Sequence, residues 1–175
     1  MLPLLCRGNV LKGRSILTTS GYIRWCSSNM SEIVNEFNKQ STWFESDWSS
    51  RSLSSTESLM QWVMSHIDIN KVKDKYVLDV ASGTGIFARW LAKHGAYSVT
   101  CIDATPGMIE QAKNSCQTEG YNDNIFTFMQ GDALNMPFED NSFDFVASRL
   151  AIHHFPNPIQ NIKEMKRVMK PGGIL

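Results

Sequence analysis

From Lys75 to the end of the chain, short apolar runs alternate with longer segments in which apolar residues recur at helical spacing. Apolar runs that end at an acid or a glycine are typical of parallel strands buried on both faces of a sheet. The predicted strands are residues 76–81, 97–102, 125–130 and 143–148, and residues 174–175 are expected to begin a fifth. The predicted helices between them cover residues 86–94, 106–120 and 158–170.

Prolines and glycines mark the ends of these helices. Thr105-Pro106 and Asn157-Pro158 each combine an N-cap residue with proline at the first helical position, whereas Gly95 and Pro171-Gly172-Gly173 are stop signals. Strands that alternate with helices form right-handed βαβ units. The sequence therefore predicts an α/β domain with a doubly wound, Rossmann-like, mostly parallel sheet and helices on both faces. The last helix is expected to carry Ile159, Ile162, Met165 and Met169.

The first 30 residues differ from the rest in charge. They contain no acidic residue and four basic ones, Arg7, Lys12, Arg14 and Arg24. This composition is typical of a mitochondrial presequence, but a basic disordered leader or a segment upstream of a start at Met30 would share it. We therefore predict a leader or presequence over residues 1–30, and a mitochondrial or cytoplasmic protein.

Residues 31–70 are predicted to be a helical segment that precedes the α/β domain of residues 71–175. The serine-rich stretch 49–58 predicts a loop between two helices. The aromatic residues of this segment either cover a ligand as a lid or belong to an ordinary amphipathic helix. They are Trp43, Phe44 and Trp48.

Charge, cysteine content and hydropathy exclude several classes of protein. Lys plus Arg and Asp plus Glu both number 17, so no net field favours nucleic acid or an anionic membrane. The four cysteines are scattered without a C-x-x-C pair, so we predict neither a metal site nor a disulfide framework. No apolar run has the length of an integral membrane segment. The expected partner is a small molecule.

Polar residues follow each predicted strand at its carboxyl end, where open α/β sheets bind their ligands. Asp79 precedes the glycine turn 81–85, and Asp103 and Asp132 end the next two strands. Bringing three carboxylates together is costly unless the ligand supplies donors or positive charge. The fourth strand is followed by Ser148, Arg149, His153 and His154.

Gly83, Gly85 and Ala88 also satisfy the pattern G-x-G-x-x-A, which would indicate a nicotinamide-dependent oxidoreductase. A pyrophosphate requires free N–H groups and few negative charges, however, and Asp79 and Asp132 would repel it. A ligand with an ammonium, a sulfonium, ribose hydroxyls and an adenine amino group would be attracted by the same acids. The acidic row therefore favours S-adenosylmethionine as the cofactor over NAD.

Five motifs occur in a fixed order in the second half of the chain. They are Val77–Gly85, Ile102–Met108, Gln130–Ala133, Met136–Asp144 and Ser148–Phe155, with Pro171-Gly172-Gly173 behind the last. Together they resemble the class I S-adenosylmethionine-dependent methyltransferases of the ubiquinone/menaquinone-biosynthesis type (methyltransferase type 11 group). The resemblance covers about residues 37–175.

The resemblance implies a role for each matching residue. The glycine turn would approach the methionine end of the cofactor, with Asp79 at its amino group. Asp103 would bind the ribose hydroxyls, and Asp132 would accept from the adenine amino group. The full set of implied cofactor contacts is Asp79, Ala81, Ser82, Gly83, Gly85, Asp103, Ala104, Met108, Asp132, Ala133 and Ser148.

Ala81 stands where the family most often has its first glycine, and alanine fits there if its backbone is not left-handed. His153 and His154 lie on the expected acceptor side. One of them is a candidate general base for an acceptor that must lose a proton, and the alternative is a packing or capping histidine in the turn before Pro156.

The family's sheet has seven strands, and this sequence reaches only the start of the fifth. We therefore expect a C-terminally truncated domain that holds most of the cofactor pocket, lacks much of the acceptor side and has little or no activity alone. The expected acceptor is a small molecule such as a quinone precursor. An alternative is a non-catalytic subunit that keeps the fold and associates with another protein, and a homo-oligomer is also open.

Overall fold

The computed structural model describes residues 30–42, 62, 65–122 and 124–175. Most of the predicted leader, the aromatic residues Trp43, Phe44 and Trp48 and the serine-rich stretch lie outside this part, so those predictions stay predictions. The helices are α1 (Met30–Gln40), α2 (Ile86–Lys93), α3 (Pro106–Thr118) and α4 (Pro158–Val168). The strands are β1 (Tyr76–Val80), β2 (Ser98–Asp103), β3 (Phe126–Gln130), β4 (Phe143–Ala147) and β5 (Met169–Ile174).

The five strands form one parallel sheet in the order β3-β2-β1-β4-β5. The strand order reverses between β1 and β4, because the chain first builds outward to β3 and then returns to the other side of β1. This topology confirms the predicted doubly wound, Rossmann-like fold. It places the ligand-binding crevice at the carboxyl ends of β1 and β4.

The central strand is buried on both faces, as its apolar sequence predicts. Val77 of β1 packs with Phe87 of α2 on one face, and Leu78 packs with Met165 and Val168 of α4 on the other. All three β1 residues from Val77 to Asp79 are at most 1% exposed. None of the helices in the described part is long and apolar enough to cross a bilayer.

The predicted helix caps are largely confirmed. Pro106 and Pro158 occupy the first turns of α3 and α4, and the side chain of Asn157 accepts a hydrogen bond from the Gln160 N–H at 3.1 Å. Thr105 is the N-cap of α3 without a side-chain cap bond. Gly95, with φ +91°, follows α2 in the left-handed conformation that glycine favours.

The predicted boundary between the last helix and the last strand was wrong. Helix α4 ends at Val168, so Met169 begins β5 and the Pro171-Gly172-Gly173 run lies within the strand. A register shift opposite Phe143 and Phe145 accommodates the run, and Pro171 is tolerated because β5 has a strand partner on one side only within the described residues. Ile159 and Ile162 lie on α4, as predicted, and both are exposed.

A buried carboxylate holds the loop between β3 and β4 against α4. Glu164 Oε1 accepts hydrogen bonds from the Met136 N–H at 2.8 Å and from Arg167 Nη2 at 2.7 Å. Arg167 also donates to the carbonyls of Met136 and Phe138 and to Asp140. These bonds connect the loop between β3 and β4 to helix α4.

We predict that Glu164→Gln lowers the free energy of unfolding by about 2 kcal/mol at neutral pH, because the buried partner of Arg167 loses its charge. The hydrogen bonds from Arg167 lower the pKa of Glu164, so this stabilisation is lost as pH falls below the unfolded value of 4.5. Urea unfolding at neutral and acidic pH measures both effects. Glu110→Gln, on an exposed position of α3, is the control, and an equal loss at both pH values would contradict the ion-pair account.

Candidate functional site

A cavity of about 170 Å³ opens at the carboxyl ends of β1 and β2. Its floor is the glycine turn after β1, and its wall is the segment from Ile102 to Thr105. Ile33, Val34 and Phe37 of α1 line the opposite side. The cavity therefore lies at the crevice that the strand order predicts, with α1 against it.

The glycine turn is built from backbone hydrogen bonds and two left-handed glycines. The Ser82 N–H donates to the Ile102 carbonyl at 3.1 Å, and the Gly85 N–H donates to the Ser82 carbonyl at 3.0 Å. Gly83 has φ +55° and no atom within 4 Å of the place where a Cβ would stand, so its face is open. Gly85 has φ +77° and packs closely on Ala112 of α3.

Ala81 adopts the backbone conformation that the sequence analysis expected it to avoid. Its φ is +55°, in the left-handed region, where a Cβ clashes with the backbone. The turn imposes this geometry because the chain must reverse between the end of β1 and the start of α2. Alanine thus replaces glycine here at a cost in strain, and Ala81 still lines the cavity.

Asp103 is held in one orientation by two backbone donors. Its Oδ2 accepts from the Gly83 N–H at 2.8 Å, and its Oδ1 accepts from the Thr105 N–H at 2.9 Å. Burial raises the pKa of Asp103, and both N–H groups counteract it by stabilising the charged form. The Thr105 side chain also stabilises the charged form, and Asp103 lines the cavity, where a carboxylate can accept hydrogen bonds from the hydroxyl groups of a ligand.

Asp79 is 1% exposed at the end of β1, and its Oδ2 has no hydrogen-bond partner. Burial raises its pKa to about 7, although the Arg149 guanidinium lowers it; Asp103 raises it further and the Ala88 N–H lowers it. Ser82 Oγ and Thr84 Oγ1 are also buried without partners. Unpartnered buried polar atoms are costly, so this cluster is suited to a ligand that supplies donors and positive charge.

The third acid of the predicted row is oriented differently. Asp132 is exposed and accepts from the Leu134 N–H at 2.8 Å within its own turn, and neither it nor the buried Asp79 is among the residues that line the cavity, whereas Asp103 is. Ala133 beside it does line the cavity, and its carbonyl accepts from the buried Asn161 Nδ2 at 2.9 Å. Ala104 and Met108, which are also among the predicted cofactor contacts, line the cavity as well.

The predicted residues after β4 fall into two groups. Ser148 lines a second cavity on the other side of Arg149, and its buried Oγ has no partner. His154 lines the first cavity, and burial, together with His153, lowers its pKa to about 4. His153 is exposed, with its ring centroid 3.9 Å from that of His154. His154 is therefore neutral at physiological pH.

Helix α1 is attached to the site through a close backbone contact. The Gly107 N–H donates to Asn38 Oδ1 at 2.9 Å, and a Cβ at Gly107 would stand 2.5 Å from Ser41 Oγ. The Phe37 ring meets the His154 ring edge-on, with centroids 5.0 Å apart. These contacts close one side of the cavity.

Two groups of site residues were missed from the sequence. Arg149 was read only as part of a strand end, although a base directly after β4, facing acids after β1 and β2, was a usable signal. Ile33, Val34 and Phe37 form the apolar face of α1, and nothing in their spacing indicates which surface that face covers. Among the described residues, no three His, Cys, Asp or Glu side chains are arranged to hold a metal ion.

We predict that Ala81→Gly raises the free energy of unfolding by about 1 kcal/mol, because glycine relieves the left-handed strain at φ +55°. Chemical denaturation measures the change. Ala104→Gly is the matched control at a residue without positive φ and should lower stability. If Ala81→Gly lowers stability as the control does, the account of backbone strain at Ala81 is wrong.

We predict that Asp79 makes the fold less stable as pH rises from 3.8 to about 7, because the folded state keeps a proton that the unfolded state releases in this window. Asp79→Asn should remove this part of the pH dependence and be more stable than the wild type above neutral pH. Thermal unfolding across the pH range tests it. The exposed Asp132→Asn is the control, and unchanged pH dependence in Asp79→Asn would overturn the assignment.

Comparison with known proteins bears on this site. A family model described as a methyltransferase domain (Methyltransf_11) matches residues 78–175. A demethylmenaquinone methyltransferase of Staphylococcus haemolyticus is 40% identical over 100 residues, which cover 56% of this chain and 40% of that protein. The ubiquinone/menaquinone biosynthesis C-methyltransferase UbiE of Hahella chejuensis is 38% identical over 103 residues, covering 57% of this chain and 40% of that protein.

The fold comparison agrees with the sequence comparison. A crystal structure from Methanococcus maripaludis, provisionally described as an S-adenosyl-L-methionine-dependent methyltransferase, superposes with a TM-score of 0.65 at 26% identity. The superposition covers 78% of this chain and 62% of that one. This chain spans less than half the length of the two curated relatives. Because the family model matches more than half of the sequence, the chain belongs to the methyltransferase domain family.

Proposed function

We propose that this chain binds S-adenosylmethionine in the first cavity and transfers its methyl group to a small, lipophilic acceptor such as a quinone precursor. The observation that carries the proposal is the pairing of a fixed carboxylate, Asp103, with buried polar atoms that lack partners around the glycine turn. The family membership of the chain supports the same cofactor.

The residues present fit the chemistry of that cofactor. The Asp103 carboxylate, which lines the cavity, suits the two ribose hydroxyls, and the apolar Ala104 and Met108 beside it suit the faces of an adenine ring. The unpartnered Oδ2 of Asp79 suits an ammonium group. The open face of Gly83 leaves room for a ligand to approach the backbone.

The chain's contribution to methyl transfer is alignment and exclusion of water. When bound, the cofactor supplies a methyl group activated by a sulfonium. Asp103 would fix the ribose, and α1, attached through Gly107, would close the cavity from one side, the lid role that the sequence analysis raised for residues 31–70. His154, neutral at physiological pH, would accept a hydrogen bond from the methyl acceptor and act only as a weak base.

The apolar lining of a second cavity supports the proposal of a lipophilic acceptor. It adjoins the first through Arg149 and Leu150, which line both. Most of its other lining side chains are apolar, among them Trp62, Phe145, Ile152 and Ile162. An acceptor with a hydrocarbon portion could lie there while its reactive atom faces the first cavity. The names of the quinone-biosynthesis relatives agree with such an acceptor.

The test is equilibrium binding of S-adenosylmethionine and of NAD by calorimetry. We expect binding of S-adenosylmethionine and not of NAD, and we expect Asp103→Ala to weaken it about 10- to 100-fold, because hydrogen bonds to a charged group are lost. Glu110→Ala, at an exposed position of α3, should bind like the wild type.

Absence of binding, or an Asp103→Ala variant with wild-type affinity and an intact fold, would overturn the proposed cofactor site. Activity is then assayed with a short-chain demethylmenaquinone. Binding without transfer to that acceptor, combined with stable association with another protein, would instead favour the non-catalytic subunit.

A further inference from the structure

Arg89 is a buried charge on the otherwise apolar buried face of α2. It is 8% exposed, and the other buried residues of this helix are Phe87, Ala88 and Leu91. Burying a guanidinium costs free energy that an apolar side chain at the same position would not cost. The contacts that Arg89 makes therefore indicate its role.

Arg89 holds one peptide unit of the glycine turn. Its Nη1 donates to the Thr84 carbonyl at 2.7 Å in the interior of the protein. The N–H group of the same peptide unit belongs to Gly85, and it donates to the Ser82 carbonyl at 3.0 Å. Both polar groups of the peptide between Thr84 and Gly85 are therefore bonded, one of them by a side chain from outside the turn.

Without these bonds, the same peptide unit could reorient easily. Gly85 has φ +77°, and a glycine adopts left-handed and right-handed conformations at similar cost, so the residue type does not fix the plane of the peptide. A stiffer residue is excluded, because Ala112 Cβ stands 3.1 Å from the place where a Cβ of Gly85 would be. The bond from Arg89 thus supplies rigidity that the glycine cannot supply.

Arg89 is itself anchored to the end of α3. Its Nε pairs with Glu119 Oε1 at 2.8 Å, and the Tyr121 hydroxyl donates to the Arg89 carbonyl at 3.1 Å. Glu119 is the C-cap residue of α3, and its side chain is half exposed. Thr84 lines the first cavity and Arg89 does not, so Arg89 acts on the cavity through the carbonyl of Thr84.

We infer that Arg89 is a positioning residue, which holds the glycine turn in the shape that receives the amino acid arm of the ligand. This inference rests on the proposed function, in which Asp103 holds the ribose and Ala104 and Met108 lie against the adenine. That arrangement leaves the glycine turn to the remaining part of the cofactor. Because the bond to Thr84 orders the turn before the ligand arrives, binding carries no cost of ordering it.

The test compares two ligands that differ in the amino acid arm. S-adenosylhomocysteine, the product of methyl transfer, carries the arm, whereas methylthioadenosine keeps the adenine, the ribose and the sulfur without it. Titration calorimetry on the full chain measures both affinities, and we expect the wild type to bind S-adenosylhomocysteine more tightly. Partial unfolding weakens both ligands by the same factor and leaves the ratio of the two affinities unchanged. The ratio therefore distinguishes a positioning role from a purely structural one.

Two variants separate the contacts of Arg89. Arg89→Gln places an amide nitrogen at the chain position of Nε, within reach of Glu119, and removes the donor to Thr84. We expect it to lower the affinity ratio about 5- to 30-fold, the cost of ordering one backbone residue during binding instead of before it. Glu119→Gln keeps an acceptor oxygen for Nε and leaves the bond to Thr84 in place, so it should keep the wild-type ratio. Lys93→Gln, which removes an exposed positive charge from the same helix, should keep it as well.

The outcomes separate this inference from the proposed function. If the wild type binds neither ligand, the proposed function fails. If it binds both equally, or if folded Arg89→Gln keeps the wild-type ratio, the positioning role is wrong and the cofactor site stands. An equal fall of the ratio in Glu119→Gln would also overturn the role, because the bond to Thr84 is intact there. If Arg89→Gln does not fold, the double variant Arg89→Gln/Glu119→Gln, in which two amides replace the opposite charges, takes its place with the same expected fall.

Discussion

The carboxylate of Asp103 is the interaction on which the rest of the site depends. It accepts one hydrogen bond from the turn after β1 and another from the start of α3, at 2.8 and 2.9 Å. These two bonds join the turn after β1, the end of β2 and the start of α3 at the edge of the sheet. They also stabilise the charged form of the carboxylate against burial, which raises its pKa, and the charged form accepts hydrogen bonds from a ligand.

Around this carboxylate, the domain retains features that oppose its own stability. Asp79 is buried with an incomplete set of hydrogen bonds, Arg149 has an unpartnered Nη1, and Ala81 has a left-handed backbone. Each costs free energy in the absence of a ligand. Their concentration at one end of β1 and β4, away from the well-packed core, is typical of a binding site in which the ligand supplies the missing partners.

The elements with strong local signals could be predicted from the sequence. Strands β1 to β4 were predicted to within one or two residues at each end, since a buried parallel strand needs a continuous apolar run. The cap at Asn157-Pro158 was predictable because its hydrogen bond is made within four residues. The positions of Asp79 and Asp103 at one edge followed from strand direction alone. The start of β5 did not follow from the sequence. A proline and two glycines can either end a helix or occupy a bulged edge strand, and pairing with the neighbouring strand decides between the two.

The sequence by itself determined the doubly wound α/β fold, the edge at which ligands bind and two of the acids that stand there, because periodicity and strand direction are local properties of the chain. Only the tertiary structure decided that Asp132 is exposed while Arg149 lies near enough to lower the pKa of Asp79, since side-chain direction after a strand depends on the turn that follows. The contact of α1 with Gly107 was likewise decided by shape, because a glycine without a Cβ admits the helix there and no spacing along the chain records which helix arrives.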